Sequence, residues 1–213
     1  AAGGPQQGAP PQALLPEGQT LRSLMGEEDR VEYEAALATL ELPPGALDRF
    51  DPWFAGINLG MLTVVRKGYN PNAGADMALT KLAQEQGKDR AGLETAEFQL
   101  DMFDSTPIDL QLFYLDRTVE QLPRASDTID TMLADWLAGN TEALAAVMNA
   151  GFEDPAAYEW LITRRNRNWA GWIDQRLDQP GVVFVAVGAG HLAGLGSVQE
   201  QLDELGIEVE RVQ

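Results

Sequence analysis

The chain has 213 residues, no cysteine, and 33 acidic against 15 basic residues, which gives a formal net charge of -18 at pH 7. The lack of cysteine excludes disulfides, thiolate metal sites and thiol nucleophiles. Because this excess of negative charge repels phosphate backbones, we expect no sequence-independent binding to nucleic acid. No apolar run approaches the roughly 20 residues that span a bilayer, and we therefore expect no membrane span in this chain.

The first segment of the chain differs in composition from the rest. Residues 1–16 are rich in Ala, Gly, Pro and Gln. Such a composition buries too little apolar surface to offset the entropy lost on ordering, so it predicts a flexible tail. Residues 17–213 are long enough to form one main core, and we expect them to form one domain.

Most of the remaining pattern predicts helices. A first helix has Tyr33, Ala36, Leu37 and Leu40 at helical spacing. A second runs from Ala46 to about Lys67, and Pro52 should kink or restart it. Further helices are predicted over residues 75–86, 95–104, 107–121, 126–138, 141–149, 155–177 and 198–205, with Thr95, Ser197 and Glu200 in capping positions.

Three short segments predict strands. Residues 182–187, VVFVAV, form a continuous apolar run that is typical of a strand buried on both faces. Residues 90–93 and 207–212 are the other candidates. We therefore predict a helix-rich α/β fold in which a small parallel sheet, with 182–187 at its centre, is covered by helices.

The run 182–187 leads into a glycine turn and the only histidine of the chain. Gly188 and Gly190 allow a sharp turn and leave room for a ligand beside the backbone. Glu94 and His191 each follow a predicted strand, so parallel strands would bring them to one sheet edge as a metal-ligand or acid/base pair. The alternative to a shared site is that His191 is an ordinary loop histidine and Glu94 a solvent-exposed acid at the end of a strand.

The predicted long helix carries two polar residues on its apolar stripe. Arg165 lies seven residues after Tyr158, and Asn166 lies four after Ile162. An inward guanidinium or amide needs a partner, such as Glu94 or an anionic substrate group, because unpaired burial is costly. A structural ion pair, or an arginine whose head reaches solvent, explains the spacing equally well.

Two other patterns have competing interpretations. GAGHLA, residues 188–193, fits a relaxed dinucleotide fingerprint with Glu208 or Glu210 as its acid, but such folds continue with more strands. Trp169 and Trp172 could form a carbohydrate platform, although aromatics at helical spacing more often belong to a core.

The sequence resembles the TraB/PrgY/GumN family, whose relatives include the Tiki metal-dependent proteases. The resemblance rests on LITRRNRNWAGWIDQ, on VVFVAVGAGHLAGLGSVQEQLDELGIEVERV, on GLETAEFQLDMFDSTPIDLQLFYL with Gly92, Leu93, Glu94 and Gln99, and on GAD at residues 74–76. It covers about residues 15–213. It implies a location in the periplasm or cell envelope.

The resemblance also implies a metal-assisted site built from two G-x-x-H motifs and a glutamate. The second motif matches at Gly188–His191, the glutamate at Glu94, and an Arg-Asn pair at Arg165 and Asn166. The first motif is missing, and the low-complexity segment stands in its place, so we expect a domain that is incomplete at its N-terminal side.

Two functions remain open at this level. One is a peptidase-like hydrolase in which His191 and Glu94 bind a divalent manganese, cobalt or zinc ion, Arg165 orients Glu94 or stabilises negative charge, and Asn166 positions a ligand. The other is a non-catalytic protein that binds a peptide or small molecule in the same cleft. The oligomeric state is left open.

Overall fold

The structure, a computed structural model, describes residues 9–150 and 154–212. In these residues the regular structure is helical. The α-helices, in chain order, are α1 (Glu27–Thr39), α2 (Pro52–Arg66), α3 (Ala75–Glu85), α4 (Ala96–Asp104), α5 (Ile108–Gln121), α6 (Ala125–Leu137), α7 (Thr141–Asn149), α8 (Pro155–Tyr158), α9 (Arg164–Leu177) and α10 (Val198–Glu204). A π-helical turn, Glu159–Thr163, joins α8 to α9. None of these described helices is both long and apolar enough to cross a membrane.

The predicted α/β class is wrong for the described residues, which are all-α. Their only β pairing is a single antiparallel bridge between Leu14 and Phe50. Residues 182–187, 90–93 and 207–212 form no strand, so the small parallel sheet covered by helices is not present. Val182 is 98% exposed and Phe184 77% exposed, so this segment is not central either. The local pattern was that of a strand, but a strand needs a neighbour, and these segments have none among the described residues.

The helices follow the sequence pattern closely. The hydroxyl of Thr95 accepts a hydrogen bond from the Phe98 N–H at 3.1 Å, and α4 begins at the next residue. Pro52 starts α2 instead of kinking a longer helix, because a proline at the first helical position loses no helix hydrogen bond. The predicted helix over 155–177 has the expected bounds but contains the π turn, which the periodicity did not indicate.

The segment predicted to be a flexible tail is partly packed. Residues 1–8 lie outside the described residues, so the prediction for them is not addressed. Pro11–Ala13 forms a 3-10 turn, and Ala13 and Leu15 are buried. The Leu15 N–H donates to the carbonyl of Arg49, and the Asp51 N–H donates to that of Ala13, both at 3.0 Å. The folded part therefore begins several residues before position 17.

The chain divides into two compact units. The first comprises the chain up to Met77 together with Glu94–Asp127. Its core is formed mainly by α1, α2 and α5; the largest fully buried apolar members are Leu21, Tyr33, Leu37, Leu47, Phe50 and Leu59. Arg22 joins this unit's parts, since its guanidinium binds Asp48 through two nitrogens at 2.9 and 2.7 Å and Glu34 through the third at 2.8 Å.

The second unit comprises Ala78–Leu93 and the chain from Thr128 onward. α9 packs against α10, and their buried contact is formed by Trp169, Ala170, Val198 and Leu202. Leu93, Ile173, Val187 and Ile207 pack around it. Because Val187 rests on this core, the turn that follows it is held beside α9.

Candidate functional site

The histidine turn is held by its own backbone and by α7. Ala189–His191 forms one 3-10 turn in which the His191 N–H donates to the Gly188 carbonyl at 2.9 Å. The side-chain amide of Asn149 donates to the Gly190 carbonyl at 3.3 Å. A Cβ added at Gly190 would lie 3.2 Å from Asn149 Oδ1, so a larger residue would press against α7. Gly190 therefore allows the close approach that positions His191.

Asn166 fixes the tautomer of the neutral His191 ring. Its side chain is fully buried, its Oδ1 lies 2.7 Å from His191 Nδ1, and its Nδ2 donates to the Gly196 carbonyl at 2.8 Å. Because a carbonyl can only accept, the amide nitrogen must face Gly196 and the amide oxygen must face the ring. In the neutral ring, Nδ1 then carries the proton and Nε2 carries the lone pair.

An aromatic ring lies beside the histidine, and a cation lies over that ring. The Trp169 and His191 ring centroids are 4.6 Å apart with the planes tilted by 52°. The guanidinium of Arg165 lies 4.9 Å from the centroid of the Trp169 ring, and its Nη1 donates to the Leu161 carbonyl at 3.2 Å. Trp169 is thus both a core residue, as its spacing predicted, and a neighbour of the imidazole.

The loop after His191 is held by the π turn and by α10. Gly196 has a φ of +70°, and a Cβ there would lie 2.5 Å from Thr163 Oγ1 in the π turn. The Gly196 N–H donates to the Glu200 carboxylate at 2.6 Å, while the Glu200 N–H donates to Ser197 Oγ at 3.3 Å. Both predicted capping residues therefore form hydrogen bonds here, but the Glu200 carboxylate binds the N–H of Gly196 and not that of Ser197. Turns of π type often occur at functional sites, and this one ends at Thr163, two residues before Arg165.

Tyr158 gives the same loop a further anchor. Its hydroxyl donates to the Leu195 carbonyl at 2.8 Å. Burial, and to a smaller extent the negative charge of Glu200, raise the pKa of Tyr158 above its ordinary value. The hydroxyl therefore keeps its proton, and remains a donor, well above neutral pH.

The predicted site residues fall in both units. Arg165, Asn166, Gly188, Gly190 and His191 belong to the second unit, where Asn166 and His191 are in direct contact. Glu94 belongs to the first unit, precedes α4, and accepts a hydrogen bond from Gln99 at 3.0 Å. The parallel strands that were to bring Glu94 and His191 together are not found in the described chain. Their meeting, and the catalytic, metal-binding and ligand-binding roles assigned above, stay predictions.

The described ranges, 9–150 and 154–212, contain no group of three or more His, Asp or Glu residues placed to hold a metal ion. The dinucleotide alternative loses its basis, since the fingerprint requires a strand before the glycines and residues 182–187, which precede GAGHLA, form none. Glu208 and Glu210 then have no assigned role.

Sequence reasoning missed the residues that hold the site together. Asn149 in α7 binds Gly190, Gly196 in the loop before α10 binds Asn166, and Thr163 in the π turn lies close to Gly196. Only one sequence signal pointed to them, namely the second pair of glycines, Gly194 and Gly196, just after the histidine. Paired glycines mark a turn that requires positive φ, and both residues have it.

Comparison with known proteins gives one family. A sequence model of the TraB/PrgY/gumN family matches residues 5–211. Two curated relatives, each named Uncharacterized protein YbaP, come from Escherichia coli (strain K12) and Shigella flexneri. Each is 27% identical over 192 residues, which is 90% of this chain and 71% of the relative. No solved structure matches the chain.

Proposed function

Because the chain belongs to the TraB/PrgY/gumN family, we propose that it carries the His191 part of a metal-dependent, peptidase-like hydrolytic site. The observation that supports this most is the buried Asn166–His191 hydrogen bond, which leaves the lone pair on Nε2. An imidazole whose other nitrogen donates to a fixed oxygen is the usual arrangement for a histidine that binds a metal or accepts a proton.

The residues of this chain fit a divalent metal only in part. His191 can supply one nitrogen ligand through Nε2, and Glu94 is the proposed carboxylate ligand. A catalytic zinc site ordinarily has three protein ligands, and the described residues offer no such group. Nitrogen and carboxylate ligands suit manganese, cobalt or zinc. When bound, such an ion would activate water and polarise a carbonyl.

The chain's own residues prepare the histidine for this role. Asn166 holds the Nδ1 proton and fixes the ring plane, since both ends of its amide are engaged inside the protein. The Trp169 ring lies against the imidazole, with the two ring centroids 4.6 Å apart. Arg165, whose guanidinium lies over the Trp169 ring, favours negative charge near the site. These features serve a peptide or small-molecule ligand with a carbonyl or carboxylate group.

Calorimetric titration of the metal-free protein with Mn²⁺, Co²⁺ and Zn²⁺ tests the site. We expect weak binding to the wild type that is lost in His191→Ala and in Glu94→Gln, because a site with few ligands cannot spare one. Glu97→Gln is the matched control, since Glu97 lies on the exposed part of α4 close to Glu94 in sequence. Equal uptake by all four proteins would mean that the ions bind the acidic surface, and the site would be abandoned.

Incubation of the metal-loaded protein with a peptide mixture, followed by mass spectrometry, then separates hydrolysis from simple binding. New cleavage products that disappear in His191→Ala support the hydrolase. Peptide capture without any product would favour the non-catalytic binding protein and overturn the catalytic proposal.

A further inference from the structure

A cavity opens in the first unit beside α1 and α5. It is lined by these two helices and by the end of the 3-10 turn Leu21–Leu24, and its volume is about 270 Å³. Small-molecule sites begin at roughly this size, since their volumes range upward from ~300 Å³. Most of the lining is apolar; these residues are Leu24, Met25, Leu112, Phe113, Leu115 and Val119. The cavity can therefore hold the carbon body of a small ligand.

The charged groups of the cavity are all negative. Asp29 lies on α1, and Asp109 and Asp116 lie on α5, whereas none of the described lining residues is lysine or arginine. Burial, and then the negative charges of Glu120 and Asp29, raise the pKa of Asp116 above its ordinary value. The adjacent Arg117 opposes this only in part, and its guanidinium binds Glu120 at 2.6 Å. A cation in the cavity would relieve this repulsion between carboxylates.

Tyr33 adds a polar group for which the first unit supplies no partner. The residue lines the cavity and is only 1% exposed, and its hydroxyl forms no hydrogen bond with any described residue. The charges that act on it, those of Asp48 and Arg22, belong to groups that are bound to each other. A buried hydroxyl without a hydrogen bond is costly to the fold. A ligand in the cavity can supply the bond that the protein does not.

The two helices arrange these groups around the apolar lining. Tyr33 lies one helical turn after Asp29, so the phenol and that carboxylate share a face of α1. On α5, Asp109 and Asp116 lie at either end of a stripe that has Leu112 and Phe113 at its centre, at the spacing i, i+3, i+4 and i+7. Carboxylates, one phenol and an apolar surface are thus presented to the same cavity.

From these observations we propose that the cavity binds a small organic amine. The carboxylates bind its ammonium group, the Tyr33 hydroxyl accepts one of the ammonium hydrogens, and the apolar lining holds the carbon body. An ammonium group has three donors and no acceptor, so it can bind a carboxylate and a phenolic oxygen together. A metal ion fits less well, since the described ranges contain no group of three or more His, Asp or Glu residues placed to hold one.

Calorimetric titration with 2-phenylethylamine, which joins a primary ammonium to a compact apolar body, tests the proposal. Sodium chloride at about 0.15 M screens the general attraction of cations to so acidic a protein. We expect binding, and changes of backbone amide chemical shifts confined to the residues around the cavity. The control ligand 2-phenylethanol keeps the apolar body but lacks the charge, and it should bind about tenfold more weakly because a charge-assisted hydrogen bond is lost.

Variants of the protein identify the groups that bind the amine. Asp116→Asn should weaken binding about tenfold and Tyr33→Phe about fivefold, as expected for a charged and a neutral hydrogen bond. Tyr33→Phe removes a hydroxyl that has no partner among the described residues, so the variant should fold as the wild type does. Asp101→Asn is the control, since it makes the same change of charge at an exposed position of α4 outside the cavity. Circular dichroism checks that each variant keeps its helices.

Several results would overturn the proposal. Equal binding of 2-phenylethanol would remove the role of the ammonium group, and equal losses in Asp116→Asn and Asp101→Asn would mean that the amine binds the acidic surface in general. Unchanged binding by Asp116→Asn or by Tyr33→Phe would also contradict it. Tighter binding of acetyl-Gly-Lys-Gly-amide than of 2-phenylethylamine would make a lysine side chain of a peptide the ligand and would overturn the assignment to a small amine.

The amine site is independent of the metal site proposed above. Its lining lies wholly in the first unit, whereas His191 lies in the second. The amine titration uses no metal ion, and a chelator can be present throughout. A failed metal titration therefore leaves the amine result untouched, and the two proposals can fail separately.

Discussion

Asn166 is buried with both ends of its amide engaged, by His191 on one side and by the Gly196 carbonyl on the other. Its position on the apolar stripe of the helix predicted that it needs a partner, and the structure provides two. Arg165 was predicted from the same stripe, but it is only partly buried and lies over the Trp169 ring. Neighbouring residues with the same sequence signal thus differ in what they touch.

Asn166→Leu should destabilise the second unit and release the His191 tautomer. Leucine has nearly the same shape but leaves Nδ1 and the Gly196 carbonyl unpaired in the interior, which costs about 1–3 kcal/mol. Urea unfolding measures the loss, and ¹⁵N chemical shifts of the imidazole report the two tautomers. Asn168→Leu is the control, since Asn168 is exposed on the same helix. An unchanged tautomer in Asn166→Leu would contradict the assignment.

Gly196→Ala should disturb the site through its contact with the π turn. The added Cβ would lie 2.5 Å from Thr163 Oγ1, and the positive φ adds backbone strain, so we expect a loss of about 2 kcal/mol or more. Gly194→Ala separates the two causes. Gly194 also has positive φ, at +78°, but a Cβ there meets nothing within 4 Å. Thermal unfolding should therefore show a larger loss at position 196, and Thr163→Ala should recover part of it.

At the scale of elements, the starts and ends of helices were the most predictable features. Thr95 and Pro52 act where their chemistry places them, at the N-terminal ends of α4 and α2. The strands were not predictable in the same way. A β-branched run indicates only that a segment favours an extended backbone, and residues 182–187 form no strand.

Asp51, which precedes α2, makes the stability of the fold depend on pH. Burial, and secondly the nearby charge of Asp104, raise the pKa of Asp51 above its ordinary value. A carboxyl whose pKa is raised on folding contributes stability that is present below its unfolded pKa and lost as pH rises through the folded pKa. At pH 7 its charge is therefore unfavourable to the fold.

Asp51→Asn should consequently stabilise the protein at pH 7, by about 0.5 kcal/mol given its partial exposure to water. The Asp51 side chain makes no capping hydrogen bond, so the substitution removes no cap from the start of α2. The difference should vanish at about pH 3, where the wild-type carboxyl is protonated. Urea unfolding at both pH values decides this, with Asp76→Asn in the first turn of α3 as the control. A gain that persists unchanged in acid would refute the electrostatic explanation.

At the scale of the whole molecule, the net charge of -18 affects the stability of the fold. Like charges spread over a compact chain repel one another more strongly than in the unfolded chain, so the charge opposes folding. Sodium chloride at about 0.5 M shortens the screening length to a few ångströms and should raise the thermal midpoint by several degrees. Calorimetry in sodium chloride and in an equal osmolarity of sucrose separates screening from solvent exclusion. A midpoint that falls with salt would mean that attractive pairs, such as Arg22 with Asp48, dominate instead.

The sequence by itself determined the helices, their caps, and the family to which the chain belongs. These features depend on local chemistry and on short motifs, because a helix satisfies its backbone within one segment. Only the tertiary structure decided how the chain divides into two units, which two groups bind Asn166, and that Gly196 lies close to Thr163. The absence of a sheet from the described residues was decided there as well. A strand forms its hydrogen bonds with another segment of the chain. The composition of residues 182–187 therefore indicates a preference for an extended backbone but cannot show whether a partner strand is present.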